Sequence, residues 1–272
     1  MRLYSFKGGI HPPERKELTH DKPIQQAYPS TKSVCIPITQ GGAPNQILVA
    51  VGDKVARGQK IAASDAFMSA PVHASIAGTV KKIETHLVTG NLEVPCIIIQ
   101  SDDSERTEFL PSLDPFLCSK EEALARVREA GIVGMGGAAF PTHVKLNPPA
   151  GKTIQYVIAN AAECEPYLTI DERTIAEMPQ KLVDGIAIAM KITGASSGII
   201  ALEDNKKHLV PLLQKTIDNY LHASPISIRL CKTKYPQGGE KNITQAVLGR
   251  EIPTGGLPAD IGCLIDNVGT LC

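Results

Sequence analysis

The hydrophobic pattern of this chain changes near Lys120, and that change constrains the fold more than any other feature. From Ser33 to about Gln100 apolar residues alternate, as in Val34, Ile36 and Ile38 and again in Ile47, Val49 and Val51, with glycine turns at Gly41–Gly42 and Gly52–Asp53. A period of two places every second side chain on one face, the mark of half-buried strands. From Lys120 the period lengthens. Leu124 and Val127 within EEALARVREAG predict an amphipathic helix ending at Gly131, a residue suited to a C-cap. Thr153–Ala159 is a short β-branched run that reads as a buried strand. Ile175, Met178, Leu182, Ile186 and Met190 recur every three or four residues and predict one helix of several turns. Ser197–Leu202 and Ile226–Leu230 predict further strands, with helices marked by Leu209, Leu213, Ile217 and Leu221 and by Lys241–Leu248. Such alternation predicts right-handed crossovers and a doubly wound, Rossmann-like parallel sheet. The expected organisation is an extended, Pro-rich and charged arm over residues 1–30, a β domain over 31–105 and an α/β domain over 106–272.

Between the first helix and the first strand of the α/β region lies GIVGMGGAAFPTHVK, Gly131–Lys145. Gly134, Gly136 and Gly137 let the backbone approach a ligand closely and aim N–H groups at an anion, and Lys145 can add a full positive charge. A plain glycine-rich turn between packed elements is the alternative. The pattern is neither a Walker A loop, which needs Gly-Lys-Ser/Thr together, nor a GxGxxG with its spacing intact. The strand ahead of Asn160-Ala161-Ala162-Glu163 ends where an open α/β sheet keeps its ligands.

Two resemblances build on these stretches. VAVGDKVARGQKIA followed by SAPVHASIAGTVKKI resembles lipoyl/biotinyl-type barrel-sandwich hybrid domains, in which a hairpin-tip lysine receives the cofactor. No lysine lies between Lys60 and Lys81, so a swinging arm has no attachment point and a structural role is expected. GMGGAAFPTHVK resembles the GxGGAGFPTxxK loop that holds FMN in the NADH-binding flavoprotein of respiratory complex I. In the same order, Asn160–Pro166 (NAAECEP) is similar to its NADExEPG segment, Tyr235–Glu240 (YPQGGE) to its YICGEE, and Asp266–Thr270 (DNVGT) to its NNVET. The opening Gly8–Glu14, GGIHPPE, resembles instead the RnfC family of the Rnf ion-translocating electron transport complexes, which carries the same flavin core.

The resemblance implies a site. Gly134, Gly136, Gly137 and Lys145 would hold the FMN phosphate, and Phe140 would stack on the adenine of NADH. Asn160 would meet the flavin or its ribityl chain, and Glu163 and Glu165 would accept from ribityl or ribose hydroxyls. Tyr235, Gly238 and Glu240 would line the flavin, with Asn267 near it. Solvated charges, turn residues and core packing are the alternatives for these positions. Four departures leave flavin binding with more of its residues than nucleotide binding: Met135 replaces a frequent arginine, Ala162 an aspartate, Gly239 the first glutamate of the pair, and Asn147-Pro148 stands near the aromatic that follows the lysine. Cys164, between two glutamates, is expected to be a dull thiol with a packing role. No catalytic side chain is required, because the flavin carries hydride transfer.

Composition narrows the remaining choices. Lys and Arg number 28 against 28 Asp and Glu, so the basic footprint of nucleic-acid binding is lacking. No run approaches the ~20 apolar residues of a membrane span. The seven cysteines are scattered without a CxxC, which predicts reduced thiols and no closely spaced iron–sulfur ligands here. The resemblance implies [4Fe–4S] motifs in a C-terminal part, so the chain is expected to be a fragment without them. It further implies NAD(H) as a cofactor beside FMN, and other Rnf membrane subunits and ferredoxin or a similar one-electron acceptor as partners. The implied location is peripheral, on the cytoplasmic side of the inner membrane. Two other functions stay open: an enzyme acting on a phosphorylated small molecule, and a non-catalytic docking protein that retains a flavin-type fold.

Overall fold

A computed structural model describes residues 2–27, 31–222 and 225–272. The chain divides into two compact units, Gln26–Lys145 and a second made of Met1–Gln25 with Leu146–Cys272. Strands are numbered along the chain, beginning with β1 (Leu3–Tyr4) of the second unit.

The first unit contains β2 (Ser33–Pro37), β3 (Gln46–Ile47), β4 (Lys54–Val55), β5 (Lys60–Ala63), β6 (Val72–His73), β7 (Gly78–Val88) and β8 (Leu92–Ser101). They form two antiparallel sheets, ordered β2-β8-β7-β4 and β3-β5-β6. Val55, Ile61, Val80, Ile97 and Ile99 are buried together, with Val34, Ile36 and Ile47 packed against them. The alternation seen in the sequence thus points its apolar half into one core. The strand expected over Ile47–Val51 stops at Ile47, because a tight turn begins at Ala50, whose N–H donates to Asp53 Oδ2 at 2.7 Å. Val51 is left exposed on that turn.

The same unit holds α1 (Lys120–Glu129) and the single-turn α2 (Thr142–Lys145). Ser119 and Glu122 form a reciprocal capping box at the start of α1, and Gly131 follows its end at φ +67°. Residues 106–145, expected to join the parallel sheet, group instead with the β strands. The physical reason is polar: Arg128 donates to Ser64 O at 2.9 Å, Gln40 Nε2 donates to Gly131 O at 2.6 Å, and Lys60 pairs with Glu129.

The second unit adds β9 (Tyr156–Ala161), α3 (Ile170–Glu177), α4 (Pro179–Thr193), β10 (Ser197–Glu203), α5 (Val210–Asp218), β11 (Ile226–Cys231), α6 (Glu240–Leu248), β12 (Cys263–Asn267) and α7 (Val268–Leu271). All pairings are parallel, in the order β1-β11-β10-β9-β12. Helices cover both faces. Ile199 of β10 shares a buried cluster with Ile243 and Val247 of α6, whereas its neighbour Gly198 lies against Ile186 and Met190 of α4. Adjacent residues of a strand point to opposite faces, so α4 and α6 sit on opposite sides of the sheet. Strands β9, β10 and β11 run outward in sequence order, and β12 then returns to the other side of β9. The order reverses between β9 and β12, the position where open parallel sheets expose a crevice at their carboxyl ends.

Two further expectations differ from the structure. The single helix expected through Ile175–Met190 is two, broken at Met178 (φ −134°, ψ 47°), because Pro179 has no N–H to continue the ladder and starts a new helix at its first turn. The N-terminal segment is no extended arm over its described residues. Leu3–Tyr4 pairs with Leu230–Cys231 as an edge strand, and Ile10 exchanges two 2.8 Å backbone hydrogen bonds with Tyr235. Residues 28–30 of that expected arm lie outside the described residues.

Candidate functional site

In the first unit the glycine stretch forms a closed loop. Gly134 N–H donates to Phe140 O at 2.9 Å, Thr142 N–H donates to Ile132 O at 3.0 Å, and Val133 bridges Pro141. Gly136 and Gly137 sit in the exposed turn, Gly134 is half-buried, Phe140 is 39% exposed and Lys145 is half-buried. None of the three glycines adopts a positive φ; the left-handed residue is Ala139, at φ 51°. A Cβ at Gly137 would meet nothing within 4 Å, and one at Gly134 only ordinary contacts at 3.7 Å. The loop is instead gripped from the β sheets. A Cβ on Gly41, itself at φ +52°, would lie 1.6 Å from Ala139 O, so only glycine permits that approach. His143 Nε2 donates to Phe67 O at 3.1 Å, and burial holds its imidazole below the usual histidine range.

In the second unit the remaining site residues gather at the carboxyl edge of the sheet. Asn160, the last residue but one of β9, and Asn267, the last of β12, are register partners across the point where strand order reverses. Asn160 Nδ2 donates to Gly238 O at 2.8 Å, and its Oδ1 accepts from Ala162 N–H at 3.2 Å. These bonds tie NAAECEP to YPQGGE. Gly238 is required there, since a Cβ would come within 2.6 Å of Ala162 O. Asn267 caps α7 by accepting from Gly269 N–H at 2.8 Å and donates to Asp171 Oδ2 at 2.7 Å. Tyr235 is 41% exposed, Glu165 is exposed, and Glu240 begins α6.

Glu163 is not an outward-facing charge. It is 3% exposed, its Oε1 accepts from Asp171 N–H at 2.9 Å, and its Oε2 lies 3.9 Å from Lys16 Nζ with no hydrogen bond among the described residues. Burial raises its carboxyl above the usual range, against the pull of that backbone donor and of Lys206 and Lys16. Cys164 accepts from Gly238 N–H at 3.4 Å, and its thiol is pushed up, first by burial and then by Glu165 and Glu203. The dull thiol expected from its neighbours is present, with burial as the larger cause.

Sequence reasoning missed the buried charges around this edge. Lys206, 1% exposed, donates to Glu203 Oε2 at 3.1 Å and to Asn205 Oδ1 at 3.3 Å, and Glu203 is fully buried. Lys16 and Lys234 are also buried, each donating to backbone carbonyls. Charged residues at the end of β10 and just beyond it (LEDNKK) carry no signal of burial in the sequence. The one clue is position, since they follow an apolar strand at the end where ligands collect. A small cavity of about 70 Å³ opens here, lined in part by Glu14, Lys16, Glu163, Glu165 and Lys234. Among the described residues no group of three His, Cys, Asp or Glu side chains could hold a metal ion, and no helix is long and apolar enough to cross a membrane.

Comparison with known proteins divides the chain differently from the two compact units, placing residues 4–25 with the barrel-sandwich match and 127–145 with the FMN-domain match. Residues 4–104 match the RnfC barrel sandwich hybrid domain, and residues 127–272 match the Nuo51 FMN-binding domain. Over 271 residues the chain is 43% identical to the C subunit of the proton-translocating ferredoxin:NAD(+) oxidoreductase complex of Clostridium ljungdahlii, covering 98% of this chain and 58% of that protein. It is 42% identical to the C subunit of the Na(+)-translocating ferredoxin:NAD(+) oxidoreductase complex of Acetobacterium woodii, covering 98% and 60%. The C subunit of the ion-translocating oxidoreductase complex of Pasteurella multocida is 37% identical over 273 residues, 99% of this chain and 32% of that protein. The chain thus spans three fifths or less of the length of these curated relatives. Among solved structures, an NAD+-reducing [NiFe]-hydrogenase in the H2-reduced state superposes with a TM-score of 0.51 at 25% identity, over 56% of this chain and 29% of that one. The FMN-domain match alone takes in more than half of the chain, and with the barrel-sandwich match ahead of it the chain belongs to the RnfC family of ion-translocating oxidoreductase complexes.

Proposed function

We propose that this chain is the electron-input part of a ferredoxin:NAD+ oxidoreductase complex, built on a Rossmann-like unit and using FMN. The observation that carries this reading is the glycine turn. Nothing among the described residues requires glycine at 137: its φ is not positive and its Cβ direction is open. Space kept clear on the outer side of a turn suits a ligand that approaches the backbone, and the residues present therefore fit a flavin phosphate. Gly134, Gly136 and Gly137 would offer backbone donors and Lys145 a compact positive charge to that dianion. Phe140, with a partly exposed ring, is free to stack on a nucleotide base. In the parallel-sheet unit, Glu165 offers a carboxylate to ribose hydroxyls. Tyr235, Gly238 and Glu240 remain the positions proposed for the flavin, and Asn160, Glu163 and Asn267 act first by fixing the loops around them. When bound, FMN supplies two-electron hydride acceptance from NADH and one-electron release. Iron–sulfur clusters, a ferredoxin-type acceptor and the ion-translocating subunits are proposed to lie beyond these residues, with the complex on the cytoplasmic side of the inner membrane.

The internal engagement of Asn160, Glu163 and Asn267 also favours a second reading, a docking protein that keeps the flavin fold as scaffold. One experiment separates the two. The purified chain is titrated with FMN by fluorescence quenching and its visible spectrum is taken before and after NADH. The electron-input reading expects bound flavin that bleaches with NADH. Lys145→Ala, which removes a charge-assisted bond of roughly 1.5–3 kcal/mol, should weaken FMN about 10- to 150-fold. Absence of FMN binding overturns the reading, and bound flavin that NADH leaves oxidised selects the docking protein.

A further inference from the structure

The motif Gly8–Glu14 has no part in the flavin chemistry above, yet its surroundings are specific. Gly8 and Gly9 adopt φ +92° and +87°, and a Cβ on Gly9 would fall 2.9 Å from both Tyr235 O and the Phe6 ring. Lys234 Nζ lies 3.8 Å from the centre of that ring and donates to Phe6 O and, at 2.8 Å, to Gly8 O. Ile10 pairs with Tyr235 through two backbone bonds, and His11 Nδ1 is 3.1 Å from Thr233 O. Glu14 O accepts from Tyr167 N–H at 2.9 Å, and Glu14 Oε2 accepts from Asn205 Nδ2 at 2.7 Å. Lys16 completes the run. Its Nζ donates to the carbonyls of Glu163 at 2.9 Å, Glu165 at 3.2 Å and Leu168 at 2.5 Å, so all three ammonium protons are used on one loop.

We propose that Gly8–Lys16 is a strap that positions the two loops carrying the nucleotide- and flavin-side residues, Glu163–Leu168 and Thr233–Glu240, with Lys16 as its positioning residue. Three carbonyls converging on one buried ammonium hold the Glu163–Leu168 backbone in a single shape, because releasing it would leave a buried charge without partners. The Glu163 carboxylate, 3.9 Å away on the same ammonium, balances that charge without taking one of its hydrogen bonds. At the other end of the strap, the Ile10–Tyr235 pairing and Lys234 hold the second loop. Lys16 itself need touch neither flavin nor nucleotide, and its effect passes through the direction it gives Glu165. The assignment of a nucleotide to that loop rests on the function proposed above; the placement of the loop does not.

Hydrogen exchange and NADH affinity of the whole chain test this. In Lys16→Met the amides of residues 163–165, 167 and 168 should exchange at least about 10-fold faster, while those of β9–β11 keep their parent rates. NADH affinity of the FMN-loaded chain should fall by a similar factor, and Lys16→Arg, which restores charge and donors, should recover most of both. Should Lys16→Met fail to fold, Glu14→Ala removes the strap's side-chain bond to Asn205, loosens the segment whose backbone holds Tyr167, and should raise exchange in the same loop a few-fold. Parent-like exchange at 163–168 in folded Lys16→Met, or in Glu14→Ala where the former does not fold, overturns the proposal. A parent chain that binds no NADH refutes the nucleotide assignment instead, and the exchange rates still decide what the strap does.

Discussion

Replacing Gly137 by alanine adds one methyl group to an exposed turn, and the structure lets its two possible consequences be separated. Among the described residues the methyl meets no atom within 4 Å, and the residue already has a φ that L-amino acids accept. Loss of chain freedom in the unfolded state then makes the substitution neutral to slightly stabilising, by up to about 1 kcal/mol. If a phosphate lies against the turn, the same methyl occupies its contact shell. Overpacking of that kind costs roughly 1–3 kcal/mol, or about a 5- to 150-fold loss of FMN affinity at 1.4 kcal/mol per factor of ten. The assay pairs a fluorescence-quenching titration of FMN with a thermal melt taken without flavin. Weakened FMN with an unchanged melt is the expected result. Parent affinity in Gly137→Ala would refute the reasoning, since the clear space would then have no ligand to serve.

Gly41→Ala should do the reverse. Its Cβ would press on Ala139 O from within the chain, so the melt should drop by the roughly 1–3 kcal/mol of an overpacked contact plus the ~1 kcal/mol of a left-handed alanine. Gly52→Ala, at φ +101° with nothing within 4 Å, should show backbone strain alone, and equal melts for the two variants would remove the grip on the glycine loop. In the other unit, Lys206→Met should cost about 3–5 kcal/mol by leaving Glu203 buried and unpaired, whereas Lys206→Met with Glu203→Leu should recover most of it in urea titrations. Burial also raises the Glu163, Asp171 and Glu203 carboxyls, so the folded chain holds these protons more tightly than the unfolded one. That contribution is fully present below the ordinary values of 3.8 for Asp and 4.5 for Glu and is lost as pH rises through the folded values. Measured against Lys206→Met alone, the double variant should therefore show a shallower decline of stability over that range, and an unchanged decline would exclude Glu203 as a source.

The element types of the parallel sheet are legible in the sequence because each strand is a short apolar run and each helix repeats at three or four residues. Ser197–Leu202 and Ile226–Leu230 each fall within one residue of β10 and β11. The break at Met178 escapes a reading by period, since apolar spacing continues across it and only the absent N–H of Pro179 separates α3 from α4. The strap is illegible for a different reason. Residues 2–24 show no period because they are held one bond at a time by loops more than a hundred residues away, and local pattern does not encode such pairing. Lys16, Lys206 and Lys234 read as solvated lysines until the carbonyls and carboxylates around them are seen.

The two asparagines show why a residue at such an edge resists assignment to one role. An amide side chain offers two donors and two acceptor lone pairs. Asn160 uses one donor on Gly238 O and one lone pair on Ala162 N–H; Asn267 uses one donor on Asp171 and one lone pair on Gly269 N–H. Among the described residues each keeps a donor and a lone pair in reserve, and strand register places the two side by side near the ends of β9 and β12. Holding the loop and meeting a flavin hydroxyl are therefore compatible demands on the same side chain, because the first fixes the direction from which the second is made. A serine could cap α7 but could not also reach a second partner with an N–H, and an aspartate would set an acceptor against Gly238 O. The requirement for an amide at both positions thus follows from the scaffold, and a ligand can use what the scaffold leaves over.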